Sequence, residues 1–214
     1  MDIPFRYDPA RCALVLIDVQ NDFCHPDGSL ARGGQDVSAA VEMVPRLVTL
    51  VDAARTAGVP VIFVRTTHDE SNDSVAWLNR RAEGPGAVTT QATCRTGSWG
   101  AEFYKVSPQL PDEPVITKHR YSAFVGTNLE LTLRTLGVQS LLFTGVATEV
   151  CVESSLRDGL FAEFFVSMVA DCCATYAPEL QEGSVRAVAK HFGTVVTAEE
   201  LTKHWSPACQ ALVG

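Results

Sequence analysis

Short stretches in which almost every residue is aliphatic constrain this chain more than any other feature. ALVLIDV (Ala13 to Val19) is interrupted only by Asp18, PVIFV (Pro60 to Val64) carries no polar residue, and Leu141, Leu142 and Phe143 open the strand Ser140 to Val146. A strand with one face in water alternates apolar and polar positions, whereas these runs suit strands buried on both faces of a parallel sheet. Between them the period changes. From Asp36 to Ala57 the residues Val37, Ala40, Val41, Val44, Leu47, Val48, Val51 and Ala54 recur at helical spacing, Gly58 closes the pattern, and Pro45 interrupts it with an expected kink.

Further strands are predicted over Pro114 to Thr117, Glu163 to Val169 and Gly193 to Val196. Helices are predicted over Asn128 to Leu136, with Thr127 as its cap and Gly137 as its stop, over Pro178 to His191, and over Ala198 to His204. A short helix is expected near Val75 to Arg81, a turn-rich loop over residues 20–34, and an irregular loop from Ala82 to Gly100. Strands alternating with helices predict a three-layer α/β/α sandwich around a mostly parallel central sheet, formed by one domain over residues 1–214.

Composition narrows the function classes. The formal net charge of −8 opposes a general affinity for nucleic acid or anionic lipid, both of which require a basic surface. No apolar run reaches the roughly 18 residues that a membrane span needs, and the first ten residues carry no secretory pattern. Seven cysteines, several inside apolar runs, fit a reducing cytoplasm better than a disulfide framework. A small-molecule partner is expected. No GxGxxG follows the first strand, where the sequence reads DVQNDF, which disfavours a dinucleotide site.

Ligands of open parallel sheets bind beyond the carboxyl ends of the strands, and three reactive side chains fall there: Asp18, Lys118 and Cys151. Cys151 lies in LLFTGVATEVCVESSLRDG, which reads as strand, turn and helix start, and a helix start favours a thiolate. Singly, each residue has a plainer role as a turn carboxylate, a solvated lysine or a small core thiol. Their convergence on one rim is the argument for a site, since a binding or scaffold protein on the same fold has no need of all three.

LVLIDVQNDFC, ITKHRYSAF and FTGVATEVCVESSLRDG resemble, in order and spacing, the isochorismatase-like family of cysteine hydrolases. The resemblance covers nearly the whole chain and implies a Rossmann-like sandwich with about six strands. It also implies a triad of Asp18, Lys118 and Cys151, a cis peptide between Val146 and Ala147, and an oxyanion hole from the N–H groups of Ala147 and Cys151. No cofactor is implied, and assembly is expected to be a homodimer or homotetramer.

Within the family, isochorismatases proper lack the cysteine. Nicotinamidases carry a metal-binding Asp-Trp-His where this chain has Thr66, Thr67 and His68, so no bound metal is expected. GSWG (Gly97 to Gly100), RYSAF (Arg120 to Phe124) and ATEVCVESSLRDGLFAEFF (Ala147 to Phe165) resemble the ureide-cleaving members most. The implied reaction is hydrolysis of a small ureidoacrylate- or N-carbamoyl-like ureide, or an amide, through a thioester. Asn21, Phe23, Trp99, Tyr121 and Phe124 are the expected substrate-binding residues, with Arg65, Arg80 and Arg81 as candidates for a substrate carboxylate.

Overall fold

Strand β1 (Cys12–Ile17) explains why its sequence is aliphatic throughout. Cys12, Leu14 and Leu16 belong to one hydrophobic core, and Ala13, Val15 and Ile17 to a second on the opposite face. The strand therefore has no solvent side, as its composition requires.

The computed structural model describes residues 3–80 and 93–206. The other strands are β2 (Val61–Thr66), β3 (Val115–Lys118), β4 (Ser140–Val146), β5 (Phe165–Ala174) and β6 (Thr194–Val196). They form one sheet in the order β3-β2-β1-β4-β5-β6, with every pairing parallel. The chain thus builds outward from β1 to β3 on one side, then returns to lay β4 against the other side of β1. The carboxyl ends of β1 and β4 flank the point at which the winding reverses, the usual ligand crevice of such sheets.

The helices are α1 (Ile3–Arg6), α2 (Asn21–Cys24), α3 (Ser29–Arg32), α4 (Ser38–Thr56), α5 (Val75–Asn79), α6 (Leu129–Thr135), α7 (Glu153–Phe161), α8 (Pro178–Ala187) and α9 (Ala198–His204). Helices α4 and α9 cover one face of the sheet through Met43, Leu47, Leu50, Val51 and Leu201. Leu129, Leu133 and Leu156 of α6 and α7 cover the other, together with Val188. Helix α4 runs through Pro45 without ending. A π-helical turn, Thr148–Val152, precedes α7, and another, Val188–Phe192, extends α8.

Several boundaries differ from the sequence reading. Residues 20–34, expected as a loop, contain α2 and α3, each too short to show a period. Strand β5 passes Val169 and continues to Ala174, because a register shift after Phe143 lets Gly145 and Val146 pair with Cys173 and Ala174. The cap of α6 is Asn128, although the Thr127 hydroxyl accepts the Leu129 N–H at 3.2 Å. Arg81 and most of the expected irregular loop lie outside the described residues. No helix among the described residues is long and apolar enough to cross a membrane.

Gly145 lies within β4 at φ +108°, a conformation that L side chains avoid. A Cβ there would sit 2.0 Å from the Ile17 carbonyl oxygen. Gly145→Ala should therefore destabilise the protein by at least about 2 kcal/mol, read as a fall in the urea midpoint.

Six described cysteines are free and buried. Burial pushes the thiols of Cys12, Cys24 and Cys172 up to about 12 from an ordinary 9.0. Above pH 9 the unfolded chain loses protons that the folded chain keeps, so stability is intact below that pH and is lost progressively toward pH 12. The urea midpoint should accordingly be lower at pH 10 than at pH 8, by up to about 1.4 kcal/mol in stability per thiol for each pH unit above 9.

Candidate active site

Asp18, Lys118 and Cys151 are brought into contact although 133 residues separate the first from the last. Asp18 is the first residue past β1 and adopts φ +54°, a left-handed conformation that aspartate tolerates better than most residues. Its N–H donates to the Val64 carbonyl at 3.0 Å, which fixes the carboxylate over the rim. Lys118 is the last residue of β3. Both side chains are only 1% exposed.

A buried ammonium requires partners, and Lys118 Nζ has four neighbours. Asp18 Oδ2 lies at 2.7 Å, Thr66 Oγ1 at 2.7 Å, the Arg120 carbonyl oxygen at 3.0 Å and Cys151 Sγ at 3.5 Å. Thr66 Oγ1 also donates to Asp18 Oδ1 at 3.0 Å, so one hydroxyl bridges the carboxylate and the ammonium. The contact between Asp18 Oδ2 and the ammonium is an ion pair without hydrogen-bond alignment, and Oδ2 accepts no hydrogen bond from the described residues. That oxygen retains lone pairs for the thiol proton.

Thr66 is itself held in place. The buried Gln20 side chain accepts the Thr66 N–H at 2.7 Å and donates to the carbonyls of Thr66 at 2.9 Å and Ala101 at 2.8 Å. Asp22 accepts the N–H groups of Ser29 and Cys94, and a Cβ on Gly100 would fall 2.1 Å from Asp22 Oδ2. The GSWG turn therefore needs its last glycine in order to pack against α2.

Cys151 lies in the π-helical turn after β4, and the Val146–Ala147 peptide preceding that turn is cis. The expectation of a thiol acidified by a helix start needs correction. Burial pushes the Cys151 thiol up to about 12; Lys118 opposes this, and Asp18 adds to it. A dry site outweighs the favourable end of a short turn. Burial also works against the Lys118 ammonium, but Asp18 and Cys151 more than offset it, and its pKa is raised. Burial thus favours a neutral Cys151 thiol beside a charged Lys118.

These three groups open onto a cavity of about 260 Å³. Of the expected substrate-binding residues, Phe23 and Tyr121 line it, as does Ala147. Asn21, Trp99 and Phe124 do not. The buried Asn21 amide donates to the Trp99 carbonyl at 2.8 Å, tying α2 to the 3₁₀ turn Trp99–Ala101. The Trp99 ring is 46% exposed and meets His25 edge-on, while Phe124 packs beside Phe164 on the α6 and α7 face. Arg65 donates to Thr117 Oγ1 at 3.1 Å, away from the cavity, and Cys24 belongs to the α4-side core.

Cavity residues that the sequence did not single out include Trp77, Arg120, Glu149, Thr175 and Tyr176. Thr175 and Tyr176 immediately follow β5, so ending that strand at Val169 concealed them. Arg120 and Glu149 stand inside the strings ITKHRYSAF and ATEVC, where position beside Lys118 and Cys151 was the available signal. His68 also lines the cavity; burial lowers its pKa despite Asn72 and Asp73, and its Nδ1 is 3.7 Å from Asp73 Oδ1. Among the described residues no group of three or more His, Cys, Asp or Glu is placed to hold a metal ion.

The chain is similar to known proteins in sequence and in fold. Ureidoacrylate amidohydrolase RutB of Methylobacterium radiotolerans is 37% identical over 204 residues, which span 90% of this chain and 78% of the relative. The protein of the same name from Pseudomonas syringae pv. syringae is 31% identical over 222 residues, spanning 97% of this chain and 89% of the relative. The crystal structure of a cysteine hydrolase from Pseudomonas syringae pv. phaseolicola superposes with a TM-score of 0.79 at 27% identity, over 92% of this chain and 93% of that one. The model of the isochorismatase domain matches residues 12–200, and with that span the chain belongs to the isochorismatase family.

Proposed function

We propose that the protein is a cysteine-dependent amidohydrolase that cleaves a C–N bond of a small ureide or amide, of ureidoacrylate or N-carbamoyl type, and releases ammonia or an amine. One observation carries this reading: a buried ammonium sits 2.7 Å from a carboxylate and 3.5 Å from a thiol at the floor of a small cavity. The activity in the names of the two curated relatives supports it.

In this reading Asp18 Oδ2 takes the Cys151 proton as Sγ attacks the carbonyl carbon. The transfer leaves the total charge of the three groups unchanged, which suits side chains as deeply buried as these. Lys118 stabilises the thiolate as it forms, and the N–H groups of Ala147 and Cys151 take the carbonyl oxygen as it becomes an oxyanion. Asp18 returns the proton to the departing nitrogen. Water, deprotonated by the same carboxylate, then attacks the thioester (a thiocarbamate when the substrate is a ureide), and Cys151 leaves. A cytoplasmic setting is part of this reading, supported by the free state of all six described cysteines.

Brief exposure to substrate should place a covalent adduct on Cys151, detectable by mass spectrometry, and Cys151→Ala should lower kcat by about a thousandfold or more. Normal turnover by that variant rules the mechanism out. Ammonia release measured across ureides and primary amides tests the substrate class, and cleavage of nicotinamide alone would replace it with a nicotinamidase-like one.

Thr66 acts by positioning. Thr66→Val strands one acceptor on Asp18 and one donor on Lys118, so kcat should fall about 10- to 100-fold with an altered pH profile, and Thr66→Ser should restore most of the loss. Unchanged kinetics in Thr66→Val would remove the hydroxyl bridge from the mechanism.

A further inference from the structure

We propose that His68 is a hydrogen-bond acceptor of the cavity: its Nε2 takes an N–H of the substrate's amide or carbamoyl group, while Asp73 holds the ring in the tautomer that leaves this lone pair free. The proposal rests on the amidohydrolase reading for the identity of the N–H group, and on a separate pair of atoms in the cavity wall for the acceptor.

That pair is His68 Nδ1 and Asp73 Oδ1. They face one another at 3.7 Å, both are sealed from solvent, and neither has a hydrogen-bond partner among the described residues. The two oxygens of Asp73 divide the work. Oδ2 takes Arg95 Nη1 at 2.5 Å, which fixes the carboxylate, and Oδ1 is turned to the imidazole. A carboxylate paired in this way offers only lone pairs, so it favours a proton on Nδ1.

The backbone holds the ring in place. The His68 N–H donates to the Cys94 carbonyl at 2.9 Å, and the Thr96 N–H donates to the His68 carbonyl at 3.0 Å. These bonds form a parallel bridge between His68 and Arg95, so the same pairing that seats the imidazole also sets the guanidinium behind Asp73. The ring lies 5.5 Å from the indole of Trp77, against which the Arg80 guanidinium also stacks at 3.5 Å.

His68 lines the cavity although Nδ1 is sealed, so the surface it presents there lies elsewhere on the ring. Nε2 diverges from Nδ1 and therefore from Asp73. Charge around the ring decides what Nε2 can do. The Asn72 side chain and Asp73 favour a second proton, but burial is the larger effect and Lys118 and Arg80 act with it. The pKa falls below the ordinary 6.5, and the imidazole is neutral at pH 7. A neutral ring protonated on Nδ1 accepts at Nε2. Lys118, Arg80 and Arg120 in the same wall can only donate, and Nε2 gives a substrate N–H an acceptor beside them.

Nitrogen-15 spectra of the Cys151→Ala protein, labelled at histidine, report the tautomer directly. The His68 signals among those of the five histidines are the ones missing from His68→Gln. The free protein should show the Nδ1–H form. Asp73→Asn keeps an oxygen for Arg95 and turns an amide NH2 to the ring, so it should shift the ring to the Nε2–H form. Saturation with N-carbamoylglycine or propionamide, followed in parallel by calorimetry, should move the Nε2 signal upfield. An Nε2–H form in the free protein, a tautomer indifferent to Asp73→Asn, an unmoved signal at saturation, or binding of neither probe overturns the proposal.

Kinetics with Cys151 intact give a second readout. His68→Phe keeps a ring against Trp77 but no acceptor, and should raise KM about tenfold with kcat nearly unchanged. His68→Gln, whose side-chain oxygen reaches the place of Nε2, should recover part of that loss, and an unchanged KM in His68→Phe counts against the acceptor. If the probes are cleaved while the Nε2 signal stays still, the acceptor role is wrong and the amidohydrolase reading stands. If a probe moves the signal but no ureide or amide is cleaved, the reaction is wrong and the acceptor stands.

Discussion

A lysine ammonium removed from water is the constraint around which this protein is arranged. Lys118 is sealed at the end of β3, and an isolated charge there would cost several kcal/mol. Asp18, Thr66 and the Arg120 carbonyl supply what water would have supplied, and each comes from a different part of the chain. Gln20 in turn pins the backbone of Thr66. The polar interior is therefore one connected network, and the thiol of Cys151 occupies its remaining neighbouring position at 3.5 Å. A charge that must be neutralised to let the sheet close is the same charge that can steady a sulfur anion.

The strand order turns that requirement into a site. Because β1 lies between β2 and β4, the residue that follows β1 and the turn that follows β4 meet at the reversal of the winding, with β3 reaching in across β2. The register pairs Ile17 with Gly145 and Thr66 with Lys118, so the four reactive or bridging groups occupy adjacent strand ends. Gly145 lets β4 pass the β1 backbone at a distance no side chain permits. The rim is thus fixed by backbone pairing, and the cavity walls are added by loops.

This division explains what could be read from the sequence. Strands buried on both faces leave an unbroken aliphatic signature, so β1, β2 and β4 and the layer architecture were legible, as was the helix Ala198–His204. Asp18, Lys118 and Cys151 were legible because strand ends are easy to locate. The walls were legible only in part: Phe23, Arg80 and Tyr121 stood out, but Trp77 reaches the cavity from a short helix with little periodic signal, and Tyr176 from beyond a strand whose polar Asp171 disguised its length. Asn21, Trp99 and Phe124 carry suitable chemistry but spend it on the scaffold, which only side-chain direction reveals. The state of the thiol was misjudged for a related reason: local sequence shows a helix start, but the degree of dryness around sulfur is a property of the whole assembly.

That dryness has a consequence for chemical durability. Peroxides and soft electrophiles consume thiolates, and a sulfur whose pKa stands near 12 is almost wholly protonated at neutral pH. Cys151 at rest is therefore a poor target for either reagent. Under the proposed mechanism, such a thiol outlasts oxidants that consume a permanently ionised sulfur.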